Sequence, residues 1–133
     1  MADCAVARRF VIAAILIIDD EEPVRQLLRQ ALEAAGHEVR EASTGVEGLR
    51  AVCDRQTDLA ITDIFMPDMD GLEMVHMLRR EFPEVRIIAM SGGGGDWNAF
   101  KVARMLGAHD TLTKPVELST LMERVGELLK PNN

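Results

Sequence analysis

An unbroken apolar run, Ala13–Ile18, stops at a pair of aspartates, Asp19-Asp20. The run lacks the alternation of a strand with one wet face. Its continuous, partly β-branched character suits a strand covered on both faces, as in a parallel sheet. Parallel strands need long crossover connections, usually helices, so this one stretch already points to alternating strands and helices around a covered sheet.

The rest of the chain supplies that alternation. After Asp20, Val24, Leu27, Leu28, Ala31, Leu32 and Ala35 recur at helical spacing, with Pro23 in the first turn and Gly36 as a stop. His37–Ala42 reads as a short edge strand, and Gly45–Arg55 as a helix with Val46, Leu49 and Cys53 inward. Leu59–Asp63 is a third strand, Leu72–Phe82 a third helix (Leu72, Val75, Leu78, Phe82 inward), and Val85–Met90 a fourth strand after Pro83. A weaker helix with small inward residues (Ala99, Val102, Ala103, Leu106) ends at Gly107. Asp110–Thr113 is a last strand, and Pro115 precedes a strong closing helix carrying Leu118, Leu121, Met122, Val125, Leu128 and Leu129. Five strands alternating with five helices predict a three-layer α/β fold with right-handed crossovers.

A chain of 133 residues is one domain. Such a chain removes roughly two-thirds of its surface from water on folding, so neither a disulfide nor a structural metal is required. Residues 1–10 are expected to form a loose leader, 11–130 the domain and 131–133 a tail. Arg8-Arg9 before the apolar run Phe10–Ile18 resembles the opening of a signal peptide. However, the run has nine residues, meets Asp19-Asp20-Glu21-Glu22 without a cleavage site, and is far short of the ~20 that span a bilayer. The formal net charge of -7 argues against direct nucleic-acid binding. Cys4 and Cys53 are two widely spaced cysteines with no C-x-x-C pattern, which fits free thiols in a reducing cytoplasm.

In a parallel sheet, ligands bind beyond the carboxyl ends of the strands. Those ends carry Asp19 and Asp20 after the first strand, Asp63 after the third, Ser91 after the fourth and Lys114 after the fifth. Each alone has a bland explanation, since acidic pairs cap helices and a lysine before proline is ordinarily solvated. Their coincidence on four of five strands is what points to a site. Three converging carboxylates repel unless a cation neutralises them. An open all-oxygen cluster suits Mg²⁺ better than Zn²⁺, which favours His or Cys; His37, His76 and His109 lie on other elements. With such an ion bound, an aspartate can attack a phosphoryl group, Lys114 can hold a phosphate oxygen, and the Ser91 hydroxyl can donate to another.

Asp19-Asp20, the segment Asp63–Gly71 (D-x-x-M-P-x-M-D-G), Ser91-Gly92 and Lys114-Pro115 together resemble the receiver domain of two-component response regulators, from Ile15 to about Lys130. The resemblance implies a flavodoxin-like sheet of order 2-1-3-4-5. It also implies an Asp63 that accepts phosphate from a phosphohistidine on a sensor histidine kinase or histidine phosphotransfer protein. Mg²⁺ would be bound by Asp20, Asp63 and the Phe65 carbonyl, assisted by Asp19. Ser91 and Lys114 would hold the phosphoryl group, and the Lys114–Pro115 peptide would be cis. Such a domain is a cytoplasmic phosphoprotein rather than an enzyme, a monomer or weak dimer that assists its own phosphorylation and dephosphorylation and controls an output partner.

Three positions depart from the family pattern. Thr111 stands where most receivers carry an aromatic residue that swings inward on activation. The Gly92–Gly95 run, with Trp97 after it, suggests instead a loop that orders on phosphorylation. Phe65 is bulky for a site linked to hydrolytic water and implies slow loss of phosphate. Three other readings compete: a receiver cut from a longer regulator or hybrid kinase, a phosphatase using the D-x-D of Asp68-Met69-Asp70, and a phosphate-independent interaction module.

Overall fold

The computed structural model of the protein describes residues 12–66, 71–92 and 97–130, Trp97 by its backbone alone. The leader, the tail, the D-x-D at Asp68–Asp70 and the expected ordering of Gly93–Gly95 and Trp97 therefore lie outside the described residues. The elements run β1 (Ala14–Ile18), α1 (Glu22–Ala34), β2 (Glu38–Ala42), α2 (Gly45–Asp54), β3 (Leu59–Asp63), α3 (Gly71–Glu81), β4 (Arg86–Ser91), α4 (Trp97–Leu106), β5 (Asp110–Thr113) and α5 (Leu118–Leu128). All four strand pairings are parallel, in the order β2-β1-β3-β4-β5. The doubly wound α/β fold expected from the sequence is thus the observed one.

The apolar run of β1 is divided between two cores. Leu16 and Ile18 pack with Ala60, Ile87, Ala89 and the inner residues of α2, α3 and α4. Ile15 and Ile17 pack with Leu59, Ile61, Ile88, Met90 and the leucines of α1 and α5. Alternate side chains point to opposite faces of a strand, and here both faces are covered, so every residue from Ile15 to Ile18 must be apolar. Positive φ at Gly36 and Gly107 ends α1 and α4.

Three helices sit differently from the sequence reading. In α2 the inward residues are Gly45, Gly48 and Val52, while Val46 and Cys53 are exposed. A Cβ at Gly48 would lie 2.8 Å from Ile18 Cδ1 and 2.9 Å from Met74 Cε, so the small residues mark the closest approach to the sheet. Ranking positions by hydrophobicity therefore rotated the helix. In α1, Leu28 and Leu32 are buried but Leu27 is exposed; in α4, Ala99 and Ala103 are buried but Val102 is exposed. The buried stripe is narrower than the apolar one because part of each helix's flank faces solvent.

Two histidines hold the amino-terminal edge of the sheet. His37 Nδ1 accepts from the backbone N–H of Ala13 at 3.1 Å, and His109 Nδ1 accepts from Ile87 at 3.0 Å. A protonated imidazole has no lone pair for this bond. Burial lowers the pKa of both rings, and at His109 the nearby Arg79 and Arg86 lower it further. A folded pKa below the unfolded value of 6.5 gives stability that is complete above that pH and is lost as pH falls through the folded pKa. The urea midpoint is therefore expected to be lower at pH 5 than at pH 7.5. The double variant His37→Asn with His109→Asn, which keeps an acceptor that does not titrate, should lose less over the same interval.

Candidate functional site

At the carboxyl edge of the sheet, the β1 and β3 ends place Asp19 and Asp63 side by side, and both are buried, while Asp20 and Glu21 are exposed. Several local bonds fix the turn after β1. Asp19 N–H donates to the Ala42 carbonyl at 3.1 Å, and Asp19 Oδ1 accepts from Glu21 N–H at 2.9 Å. Arg25 Nη1 donates to the Asp19 carbonyl at 2.7 Å while its Nε pairs with Glu41 at 3.0 Å. Asp63 Oδ1 accepts from Phe65 N–H at 3.1 Å, and Ile64 N–H donates to the Met90 carbonyl at 2.8 Å.

Lys114 crosses from the end of β5 to this cluster. Its Nζ lies 2.6 Å from Asp19 Oδ2, 2.9 Å from Asp63 Oδ2 and 3.1 Å from Glu21 Oε1. Burial alone would lower the lysine pKa, but its contacts with Asp19 and Asp63 outweigh burial and hold the ammonium well above the ordinary range. Burial raises the Asp19 pKa, with a smaller upward push from the Asp63 charge; Lys114 and the Glu21 N–H oppose this without cancelling it.

The cluster fits a hard divalent cation. Carboxylate oxygens of Asp19, Asp20, Glu21 and Asp63 lie within 4.8 Å of one another, and a single ammonium leaves a surplus of negative charge among them. Asp19 Oδ2 is buried and accepts no well-aligned hydrogen bond, only the close ion pair. An all-oxygen donor set with an under-satisfied buried carboxylate suits Mg²⁺.

Other residues named from the sequence stand differently. The Ser91 side chain is buried, and its hydroxyl donates to the Gly92 carbonyl at 3.3 Å rather than to Asp63; its own carbonyl accepts from Lys114 N–H at 2.8 Å. Phe65 is exposed, with its backbone N–H on Asp63. The Lys114–Pro115 peptide is cis, as the resemblance implies.

The profile of the response regulator receiver domain matches residues 15–126. The chain belongs to this family. It is 40% identical over 120 residues to the DNA-binding transcriptional regulator NtrC of Azospirillum brasilense, covering 90% of this chain and 25% of that protein. It is 35% identical over 117 residues to the response regulator MprA of Mycobacterium sp. (strain KMS), covering 87% and 50%. The crystal structure of a putative response regulator from Chloroflexus aurantiacus superposes with a TM-score of 0.84 at 31% identity, covering 91% of this chain and all of that one. The receiver thus spans about a quarter of NtrC, half of MprA and the whole of the Chloroflexus chain.

The receiver's own departures now have a setting. Thr111 Oγ1 accepts from Arg104 Nη2 at 3.2 Å. The neighbouring Asp110 carboxylate bridges Arg104 at 3.4 Å and Arg124 at 2.8 Å, joining α4, β5 and α5 by polar contacts. Glu21 is the site residue that sequence reasoning missed. The acidic run Asp19–Glu22 held the signal, but only the turn geometry separates Glu21, which faces Lys114, from Glu22 at the start of the helix.

Because burial disfavours the Asp19 charge, Asp19→Asn is expected to raise the melting temperature of the metal-free receiver. The wild type should gain stability with added Mg²⁺ and the variant much less. Calorimetry with and without Mg²⁺ checks both.

Proposed function

We propose that this receiver accepts a phosphoryl group on Asp63 from the phosphohistidine of a sensor histidine kinase or histidine phosphotransfer protein, and that the resulting change controls an output partner. The observation that carries this reading is the buried Asp63 carboxylate beside both Lys114 and the acidic cluster. Asp63 Oδ attacks phosphorus as the P–N bond breaks, and the electron pair of that bond returns to the imidazole nitrogen. Lys114 offers its charge to a phosphoryl oxygen. Ser91 reaches the phosphoryl group by rotating its hydroxyl away from Gly92. Mg²⁺ held by Asp20, Asp63 and the Phe65 carbonyl, with Asp19 assisting, would neutralise charge developing on the phosphoryl oxygens. The chain thus acts as a phosphoacceptor that assists its own phosphorylation and dephosphorylation, not as a turnover enzyme.

Residues 11–130 form the receiver domain in this reading, between a short leader at 1–10 and a tail at 131–133. A net charge of -7 gives it no basis for direct contact with nucleic acid, and it matches only 25% of the relative described as DNA-binding. No helix among the described residues is long and apolar enough to cross a membrane. We place the domain in the cytoplasm, as a monomer or weak dimer.

Incubation with acetyl phosphate should add one phosphoryl mass per chain in the presence of Mg²⁺, and much less when the ion is chelated. A chain that hydrolyses the donor through many turnovers without holding phosphate would point to phosphatase chemistry instead.

A further inference from the structure

The Lys114 ammonium has three N–H groups, and three carboxylates lie around it. They are unequal. The side chains of Asp19 and Asp63 are 0% and 6% exposed, while that of Glu21 is 59% exposed. Abandoning either aspartate would leave a buried carboxylate without its counter-charge, which is costly. Releasing Glu21 returns an exposed carboxylate to water, a change of small free-energy cost. The Glu21 backbone N–H is anchored on Asp19 Oδ1 at 2.9 Å, so its side chain starts from a fixed point at the rim of the site.

We propose that Glu21 is a positioning residue that acts through Lys114: it is the exchangeable third partner of the ammonium, and an incoming phosphoryl oxygen takes its place. While paired, it holds the lysine ready over Asp63. It also sets a negative charge at the entrance, which disfavours strongly anionic phosphodonors relative to less charged ones. Glu21 thereby tunes which donors phosphorylate the receiver. This inference rests on the phosphoacceptor reading of Asp63.

The test compares wild type, Glu21→Gln and Glu21→Asp. In the metal-free protein, the Lys114 ¹⁵Nζ ammonium protons should exchange with water faster in Glu21→Gln. Phosphoryl incorporation from dianionic acetyl phosphate should rise roughly 1.5-fold to fivefold in Glu21→Gln at low ionic strength, the scale of one exposed ion pair, and the gain should shrink as salt is added. With monoanionic phosphoramidate the gain should be smaller, and Glu21→Asp should restore most of the discrimination between the donors. Mn²⁺ affinity, read by electron paramagnetic resonance, should fall by less than about fivefold, the scale of one exposed charge. Unchanged ammonium exchange, equal effects on the two donors, or a Mn²⁺ affinity that falls about tenfold would each overturn the proposal, the last by making Glu21 a metal ligand. A wild type that takes up no phosphoryl group from either donor would instead remove the reading of Asp63, a result distinct from these.

Discussion

Replacing Asp63 with asparagine is expected to abolish stable phosphoryl incorporation, with a loss on the order of 10⁴-fold or more, the scale seen when a nucleophile is removed. The substitution is nearly isosteric. An asparagine Oδ1 still accepts from the Phe65 N–H, and the buried position at the end of β3 is retained. What disappears is the carboxylate that faces Lys114 Nζ at 2.9 Å and would attack phosphorus. Removing one of four clustered negative charges should leave the metal-free fold at least as stable, so the loss would not be a folding defect. Intact-mass measurement after incubation with acetyl phosphate and Mg²⁺, beside a thermal melt, checks both halves. A variant that gains the same mass as the wild type would move the acceptor to another carboxylate.

Gly71→Ala is expected to destabilise the receiver by about 3 kcal/mol, near the upper end for overpacking, with a fall in melting temperature of roughly 10 °C. The Gly71 N–H donates to the Ile64 carbonyl at 2.7 Å, bringing the start of α3 against the turn that leaves β3. A Cβ at this position would lie far inside van der Waals contact with the Asp63 carbonyl oxygen and the Ile64 Cα. These are backbone atoms, so no rotamer change relieves the clash; either α3 or the end of β3 must shift. A shift of β3 carries Asp63 away from Lys114, so phosphoryl incorporation should slow along with the loss of stability. Chemical denaturation measures the first effect and a time course of mass gain the second. A variant within about 0.5 kcal/mol of wild type, the range of an ordinary surface substitution, would show that the two segments can separate at little cost. Gly48→Ala should be milder, because the nearest atoms its Cβ would meet belong to the side chains of Ile18 and Met74, not to the backbone.

The polar contacts around Thr111 bear on how a signal would leave the site. Arg104 on α4 spans Thr111 and Asp110 on β5, and Arg124 on α5 takes the other carboxylate oxygen of Asp110. The Ser91–Thr113 register and the bond from Lys114 N–H to the Ser91 carbonyl tie this end of β5 to β4. Lys114 and Ser91 are therefore tied directly to the strand that carries Asp110 and Thr111.

Much of the protein was legible in its residues. The unbroken Ala13–Ile18 run implied a strand with two covered faces, and the two cores meeting at β1 are its physical expression. The span Leu59–Asp63 was readable to the residue because an apolar segment ends in a charge. The strand-end acids and Lys114 could be gathered because parallel connectivity sends every carboxyl end to the same edge. Hydrophobicity did not show which way α2 turns, since that depends on how closely a helix approaches the sheet, and Gly48 fits there where a valine would not. Nor could spacing along the chain reveal that Glu21 shares Lys114 with Asp19 and Asp63 across 93 residues of sequence. Local patterns fix which segments are strands and which ends they expose. The inward face of a helix and the partners of a long flexible side chain depend on distances between segments remote in the chain, and only the folded structure sets those.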